Sequence, residues 1–364
     1  MTIDRRTMLK AGAAMSYAGF LPRMAAAAFA PEPNGWRRFE ITTRVEIARP
    51  QPVKLWLPLP SVDAPDWMKP GETLWSTNAD QAVVDTDSVS GAGFLSASWT
   101  EGDDPAVLEL RNTVYTQDRH VDLSRAGLPT RLSDADRALY TAPTRLIPTD
   151  GIVRKTADSV TAGAQGDLEK ARQIYNWVVE STARNPETRG CGLGDVASML
   201  QTGDLTGKCA DLNSLYVGLA RAAGLPARDV YGLRVAPSEF GYKSLGANSS
   251  DVTKAQHCRA EVFLDDFGWV AVDPADVRKV MLEEPPKNLP IDDPKVTDAR
   301  QALFGGWEGN WIAYNFAHDL ALPGAADGPV DFLMYPQAEV GGVRLDPLDP
   351  GAFVYTITAR EMPA

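Results

Sequence analysis

The centre of the chain reads Thr206-Gly-Lys-Cys-Ala-Asp-Leu-Asn-Ser-Leu-Tyr216, then Gln256-His-Cys-Arg-Ala-Glu-Val262, and then Gly268-Trp-Val-Ala-Val-Asp-Pro-Ala-Asp276. These stretches carry a thiol at Cys209, an imidazole at His257 and a carboxylate at Asp273, in that order. Enzymes that transfer acyl groups through a cysteine need these three groups. We therefore interpret Cys209, His257 and Asp273 as a candidate catalytic triad.

Local patterns predict a different setting for each group. Apolar side chains at helical spacing follow Cys209 until Gly224, which predicts a helix that begins at Cys209. The next two stretches are typical of strands, His257–Leu264 and Trp269–Val272, joined by a short loop. A simple four-residue loop would place Asp273 opposite Ala260 rather than His257, so we expect a bulge or a different register.

The helix start could activate the thiol, because its unpaired N–H groups favour an anion. His257 would supply a cationic partner, Asp273 would orient the imidazole, and the Cys209 N–H is available to an oxyanion. Asn185 and Trp177 are candidates for the second oxyanion donor; the alternatives are a turn residue and part of an apolar helix face, respectively. Each triad member alone also has a structural alternative: a small buried cysteine, a hydrogen-bonded histidine and a turn-capping aspartate.

The remaining sequence predicts two domains. Short β-prone runs separated by Pro, Gly, Asp and Ser predict an antiparallel β-sandwich over residues 31–140. Helical periodicity then begins, and we assign residues 141–364 to an α+β catalytic domain, with strands in 280–364 completing its sheet. The segment 236–256 has weak periodicity and is predicted to be a long loop that shapes the cleft.

The N-terminus resembles a twin-arginine export signal over residues 1–28, with Arg5-Arg6 ahead of a short apolar run and small residues at 25–28. An ordinary secretory signal would lead to the same periplasmic or secreted location. These residues carry four basic side chains and one acidic one, so their removal changes the net charge from −12 to −15. Such an acidic chain is not expected to bind nucleic acid, and no apolar stretch predicts a membrane span.

Two further cysteines accompany Cys209. Cys191 and Cys258 could form a disulfide in an oxidising compartment, and an odd number of cysteines leaves at least one free thiol. The spacing of cysteine and histidine residues does not match a zinc site, so we expect neither a metal nor another cofactor.

The motifs resemble the core of the bacterial transglutaminase-like superfamily: Gly207-Lys-Cys-Ala-Asp211, Leu219-Ala-Arg-Ala-Ala-Gly-Leu-Pro-Ala-Arg-Asp-Val-Tyr-Gly232, His257 with Glu261-Val-Phe-Leu264, and Gly268-Trp-Val-Ala-Val-Asp-Pro274. The resemblance covers about residues 168–276. It implies a papain-like α+β fold in which Cys209 is the nucleophile, His257 the base and acid, and Asp273 the orienting residue. Family members usually carry an aromatic residue two positions after the histidine, where this chain has Arg259. Arg259 could bind a substrate carboxylate or pair with Glu261.

These observations lead to one functional hypothesis and two alternatives. We expect an exported cysteine amidohydrolase or peptidase that acts on a peptide or protein through an acyl-enzyme. Transfer of the acyl group to an amine, which would crosslink proteins, is the first alternative. A non-catalytic exported binding module is the second. Neither the substrate nor the oligomeric state follows from the sequence.

Overall fold

The computed structural model describes residues 28–127 and 129–363, and it has a mixed α+β fold with antiparallel main sheets. The predicted export signal lies outside these residues except for Ala28. Among the helices of these two ranges, none is both long enough and apolar enough to cross a membrane.

Strands dominate the N-terminal part. They are β1 (Arg37–Ile47), β2 (Val53–Pro58), β3 (Met68–Thr77), β4 (Gln81–Thr86), β5 (Gly93–Trp99), β6 (Ala106–Thr116) and β7 (Arg119–His120). In β1 and β6, buried residues alternate with more exposed ones, as expected for strands with one face on a core.

Helices and further strands follow. The helices are α1 (Asp134–Thr141), α2 (Gly151–Val160), α3 (Asp167–Ser181), α4 (Val196–Thr202), α5 (Cys209–Ala222), α6 (Pro274–Glu283) and α7 (Pro294–Ala302), with a 3₁₀ turn at Lys243–Leu245. The strands are β8 (Ala183–Arg184), β9 (Thr206–Gly207), β10 (Ala227–Arg234), β11 (Gln256–Leu264), β12 (Gly268–Val272), β13 (Gly306–Trp307), β14 (Trp311–Asn315), β15 (Gln337–Val340), β16 (Val343–Arg344) and β17 (Val354–Met362).

Helix α5 is the centre of the molecule. Every residue of α5 is buried, including its polar residues, because α2, α3, α4 and α6 pack around it and one sheet lies against it. That sheet is antiparallel in the order β12-β11-β10-β14. The prediction that a helix begins at Cys209 is confirmed.

Two other sheets form a sandwich, in the orders β17-β1-β6-β3 and β16-β15-β2-β5-β4. They share an apolar cluster that includes Leu55, Leu95 and Leu108. Among the strands of residues 280–364, β14 pairs with β10 in the sheet beside α5. β15 and β17 pair instead with β2 and β1, which corrects the expectation that the strands of this segment complete one sheet. The physical reason is visible in β17, where only Ile357 and Ala359 are buried, whereas every residue of β14 is buried.

Candidate active site

Cys209 is the first residue of α5, and a neighbouring carboxylate holds the backbone around this helix start. Asp211 accepts hydrogen bonds from the N–H groups of Lys208, Leu193 and Gly194, each at 3.0 Å. This carboxylate fastens the loop that follows Cys191 to the helix start. Gly207 leaves room for it, since a Cβ at that position would collide with the Asp211 side chain. The Gly207-Lys-Cys-Ala-Asp211 motif therefore builds a rigid support for the thiol.

His257 is oriented by Asp273. The His257 Nε2 atom lies 2.8 Å from Asp273 Oδ2, and the Trp311 indole donates to the His257 backbone carbonyl at 2.9 Å. Asp273 is also the N-cap of α6, because its Oδ1 accepts from the Asp276 N–H at 3.0 Å. Since Nε2 faces the carboxylate, Nδ1 is the ring nitrogen left for the Cys209 thiol, which interacts with the imidazole.

The strand register explains how Asp273 reaches His257. Leu264 pairs with Gly268 and Ala260 pairs with Val272, so the connecting loop is one residue shorter than a four-residue loop. Asp273 therefore follows at the level of Arg259, whose side chain shares a strand face with His257. A one-residue change of register moves a side chain to the other face of the sheet. The shorter loop therefore resolves the mismatch expected from the sequence, in which Asp273 lay opposite Ala260.

A second carboxylate faces the same imidazole and was not assigned a role from the sequence. Asp276 Oδ2 lies 3.4 Å from His257 Nε2. Arg234 holds Asp276 through two hydrogen bonds, of 2.6 and 2.7 Å, and also donates to the Leu245 carbonyl. The available signal was the spacing: Asp276 follows Asp273 by three residues at a helix start, so both carboxylates share one helix face.

The charges of the site favour a thiolate and an imidazolium. Hydrogen bonds from the neighbouring thiols of Cys191 and Cys258, together with His257, hold the pKa of the Cys209 thiol well below its ordinary value although burial opposes this. Burial and Arg234 would lower the pKa of His257, but Asp276 and Asp273 outweigh them and raise it to about 9. At neutral pH the electrostatics therefore favour Cys209 as an anion beside a protonated His257.

All three cysteines lie together as free thiols. Cys191 Sγ is 3.4 Å from the Gln256 carbonyl oxygen, and the Cys191 carbonyl accepts from the Ala210 N–H at 2.9 Å. The disulfide considered between Cys191 and Cys258 is thus not formed in this structure. Both thiols instead lie beside Cys209 and contribute to the lowered pKa of its thiol.

Three other candidates are absent from the lining of the cleft beside Cys209 and His257. Trp177 packs against the apolar core, and Asn185 donates its N–H to the Gly207 carbonyl at 2.8 Å; neither lines the cleft beside Cys209. Arg259 is only 2% exposed and lies against the Trp311 ring, 4.6 Å from its centroid. This burial corrects the expectation that Arg259 contacts substrate.

The alternative partner for Arg259 is also corrected. Glu261 is buried and pairs with Arg119 and Arg228 rather than with Arg259. Arg259 is instead near Asp273, with Nε 3.6 Å from Oδ2.

A cleft of about 690 Å³ opens beside Cys209 and His257. Residues 246–249, 251 and 253–256 form one side of it, within the segment expected to shape a cleft. Gly190, Tyr335 and Leu348 line another side. The cleft is large enough for several residues of an extended peptide.

His257, Asp273 and Asp276 also offer ligand atoms within 4.8 Å of one another, a spacing compatible with a metal ion. The contacts favour charge pairing instead, since Arg234 binds both oxygens of Asp276 and Asp273 is hydrogen-bonded to Asn213 and to the Asp276 N–H. These partners leave few carboxylate lone pairs for a cation.

Fold and site together define an α+β protein in which a central helix begins at a cysteine, an adjacent strand carries a histidine, and the aspartate that contacts this histidine follows the next strand. The model of the transglutaminase-like superfamily matches residues 154–274. An uncharacterised protein of Haemophilus influenzae is 35% identical over 342 residues, which cover 89% of this chain and 91% of that protein. The chain belongs to the transglutaminase-like superfamily.

Two solved structures align with this chain. A candidate cysteine protease from Cytophaga hutchinsonii aligns with a TM-score of 0.50 and 15% identity over 90% of this chain and 99% of that one. The periplasmic domain of TgpA from Pseudomonas aeruginosa aligns with a TM-score of 0.33 and 17% identity, covering 67% of this chain and 88% of that domain. The first alignment extends the likeness in fold beyond residues 154–274 to most of the chain.

Proposed function

We propose that the protein is an exported cysteine hydrolase that cleaves an amide or peptide bond through Cys209, His257 and Asp273. The observation that carries the proposal is the 2.8 Å contact between His257 and Asp273 beside a Cys209 thiol whose pKa is lowered, at the wall of an open cleft. Perturbed pKa values in a cleft are typical of catalytic groups. The export signal predicted from the sequence of residues 1–28 supports the proposal of a periplasmic or secreted location.

In the proposed reaction, the Cys209 thiolate attacks the substrate carbonyl carbon and the carbonyl oxygen becomes an oxyanion. The Cys209 N–H at the helix start stabilises this oxyanion. His257 then donates its proton from Nδ1 to the leaving amine as the carbon–nitrogen bond breaks, which leaves an acyl-enzyme. A water molecule gives a proton to His257 and attacks the thioester, so that the acid product leaves and the thiolate returns.

The first test measures the reactivity of the thiol. A free cysteine with a pKa of about 8.5 is roughly 3% thiolate at pH 7, so complete ionisation would accelerate alkylation by about 30-fold. We expect iodoacetamide to label Cys209 about that much faster than N-acetylcysteinamide, and we expect His257→Asn to reduce the difference measurably, because His257 is one of the groups that lower the pKa of the thiol. An unaccelerated Cys209 in the folded protein would contradict the proposal.

The second test measures turnover and the acceptor. The mature protein and its Cys209→Ala variant are incubated with peptide and glutamine-amide libraries, with and without an added primary amine. Hydrolysis predicts ammonia release or peptide cleavage by the unsubstituted protein alone. Incorporation of the amine in preference to water would replace hydrolysis by acyl transfer. No turnover, combined with an unreactive Cys209, would favour a binding module.

A further inference from the structure

We propose that the cleft selects acyl substrates that carry a carboxylate close to the scissile amide; this inference rests on the proposed hydrolase function. The cleft is lined by cationic side chains, whereas the chain as a whole has a net charge of −12. The cations are Arg184, Arg189, Lys208, Arg234, Lys254 and Lys279, and Asp251 is the carboxylate among the described residues that line the cleft. The cleft lining is therefore opposite in charge to the chain as a whole.

Part of this positive charge is neutralised within the protein. Arg184 pairs with Glu283, Arg189 with Asp346 and Arg234 with Asp276. Lys208 and Lys254, in contrast, make no salt bridge within the part of the chain that the structure describes, although Lys254 lies near enough to Asp251 for the two charges to interact. Unpaired cations are thus available to a substrate on the cleft wall.

Lys279 adds a cation deeper in the cleft. Its side chain is 18% exposed, and its nearest carboxylate is Glu283 at 3.8 Å, which Arg184 also contacts. Burial, with Arg234 nearby, lowers the pKa of Lys279 to about 8. A substrate carboxylate beside Lys279 would compensate the buried charge and keep the lysine protonated.

The positions of these lysines relative to the thiol place the carboxylate near the reacting bond. Lys208 directly precedes Cys209, and Lys279 lies one helical turn beyond Asp276, which contacts His257. Lys254 belongs to the segment that leads into β11. A carboxylate held by Lys208 or Lys279 would lie within one or two residues of the scissile amide.

Two alkylating reagents test the charge preference before any substrate is known. Iodoacetate is anionic and iodoacetamide is neutral; in both reactions the Cys209 sulfur forms a bond to the CH₂ carbon and iodide leaves. The measured quantity is the ratio of the two rate constants at Cys209, assigned by peptide mapping, divided by the same ratio for N-acetylcysteinamide. We expect this normalised ratio to exceed roughly ten at low ionic strength and to fall as salt is added.

Lysine substitutions isolate the cleft charges from the His257 imidazolium, which is retained in every variant. We expect Lys208→Met, Lys254→Met and Lys279→Met each to lower the normalised ratio by about two- to fivefold. Lys254 is exposed, so its replacement should not impair folding. Lys155→Met, an exposed lysine on α2 away from the cleft, should leave the ratio unchanged.

The outcomes separate this inference from the proposed hydrolase. Rapid labelling by iodoacetamide with a ratio that none of the three cleft variants changes would overturn the charge preference and leave the hydrolase proposal intact. Slow labelling by both reagents would contradict the hydrolase proposal itself. Among cleaved peptides, Glu-to-Gln pairs and free versus amidated C-termini then identify whether the carboxylate is a side chain or a chain end.

Discussion

The charge of Asp276 should set the protonation state of His257, and the Asp276→Asn variant tests this. Two unit charges 3.4 Å apart interact by roughly 5 kcal/mol at an effective dielectric constant of about 20, which corresponds to about 3.5 pKa units. Arg234 binds both Asp276 oxygens and offsets part of this interaction. We therefore expect the pKa of His257 to fall by about 2 units, from about 9 towards 7.

The sign of the change determines the pH window. In the unsubstituted protein His257 stays protonated up to about pH 9, whereas in the variant it becomes neutral above about pH 7. The imidazolium that protonates the leaving amine is then lost between these two values. For any amide substrate that is found, the alkaline limb of the pH dependence of kcat/KM should shift to lower pH by the same number of pKa units.

Histidine NMR measures this pKa directly. The chain has three histidines, so titration of protein labelled at the histidine Cε1 gives three curves, and His257→Asn assigns the relevant one. Asp251→Asn, which removes an exposed carboxylate in the same cleft, should leave the curve unchanged. Asp276→Asn combined with Arg234→Gln removes both opposing charges and should move the pKa less. Either of two results would refute the reasoning: a pKa of His257 near 6.5 in the unsubstituted protein, or the same pKa of His257 in the unsubstituted protein and in Asp276→Asn.

Two stability predictions concern the support of the site. Gly232 pairs with His257 across the sheet, and a Cβ at Gly232 would collide with the Ile312 carbonyl. Gly232→Ala should therefore lower the free energy of unfolding, measured by urea denaturation, by about 1–3 kcal/mol. An unchanged free energy would show that β14 can move away from the added methyl group. Glu261 is buried and pairs with both Arg119 and Arg228. Glu261→Gln should lower the free energy of unfolding by about 3–5 kcal/mol, because two cations lose their counter-charge. An unchanged free energy of unfolding in calorimetry would contradict the pairing.

The helix start and the strands that bear the candidate triad were predictable because their signals are local. Apolar spacing after Cys209 identified the helix, and β-prone runs around His257 identified the strands. The pairing of β17 with β1 was not predictable in the same way, because it joins residues far apart in the chain. Within β17, buried and exposed side chains alternate, as expected for a strand with one face in solvent. Every residue of β14 is buried, as expected for a strand with both faces covered.

Other members of the site were missed for the same reason, since their contacts join residues that are far apart in the sequence. Arg234 reaches Asp276 across the fold, and no spacing in the sequence indicates that contact. Arg259 shows the converse limit: two positions after His257 it shares the same strand face, but the Trp307 and Trp311 rings cover it. Exposure depends on what packs over a strand, which the sequence of the strand alone does not reveal.

The pairing of β17 also determines when the cleft can form. The Val252 N–H donates to the Ile357 carbonyl at 2.8 Å, and the Ala359 N–H donates to the Ser250 carbonyl at 2.9 Å. The cleft segment around residue 252 is therefore fastened to β17, which is made long after Cys209 and His257 leave the ribosome. A chain still in synthesis would carry the reactive groups with this wall of the cleft unfastened, so translation itself delays the completed site until β17 has paired with β1.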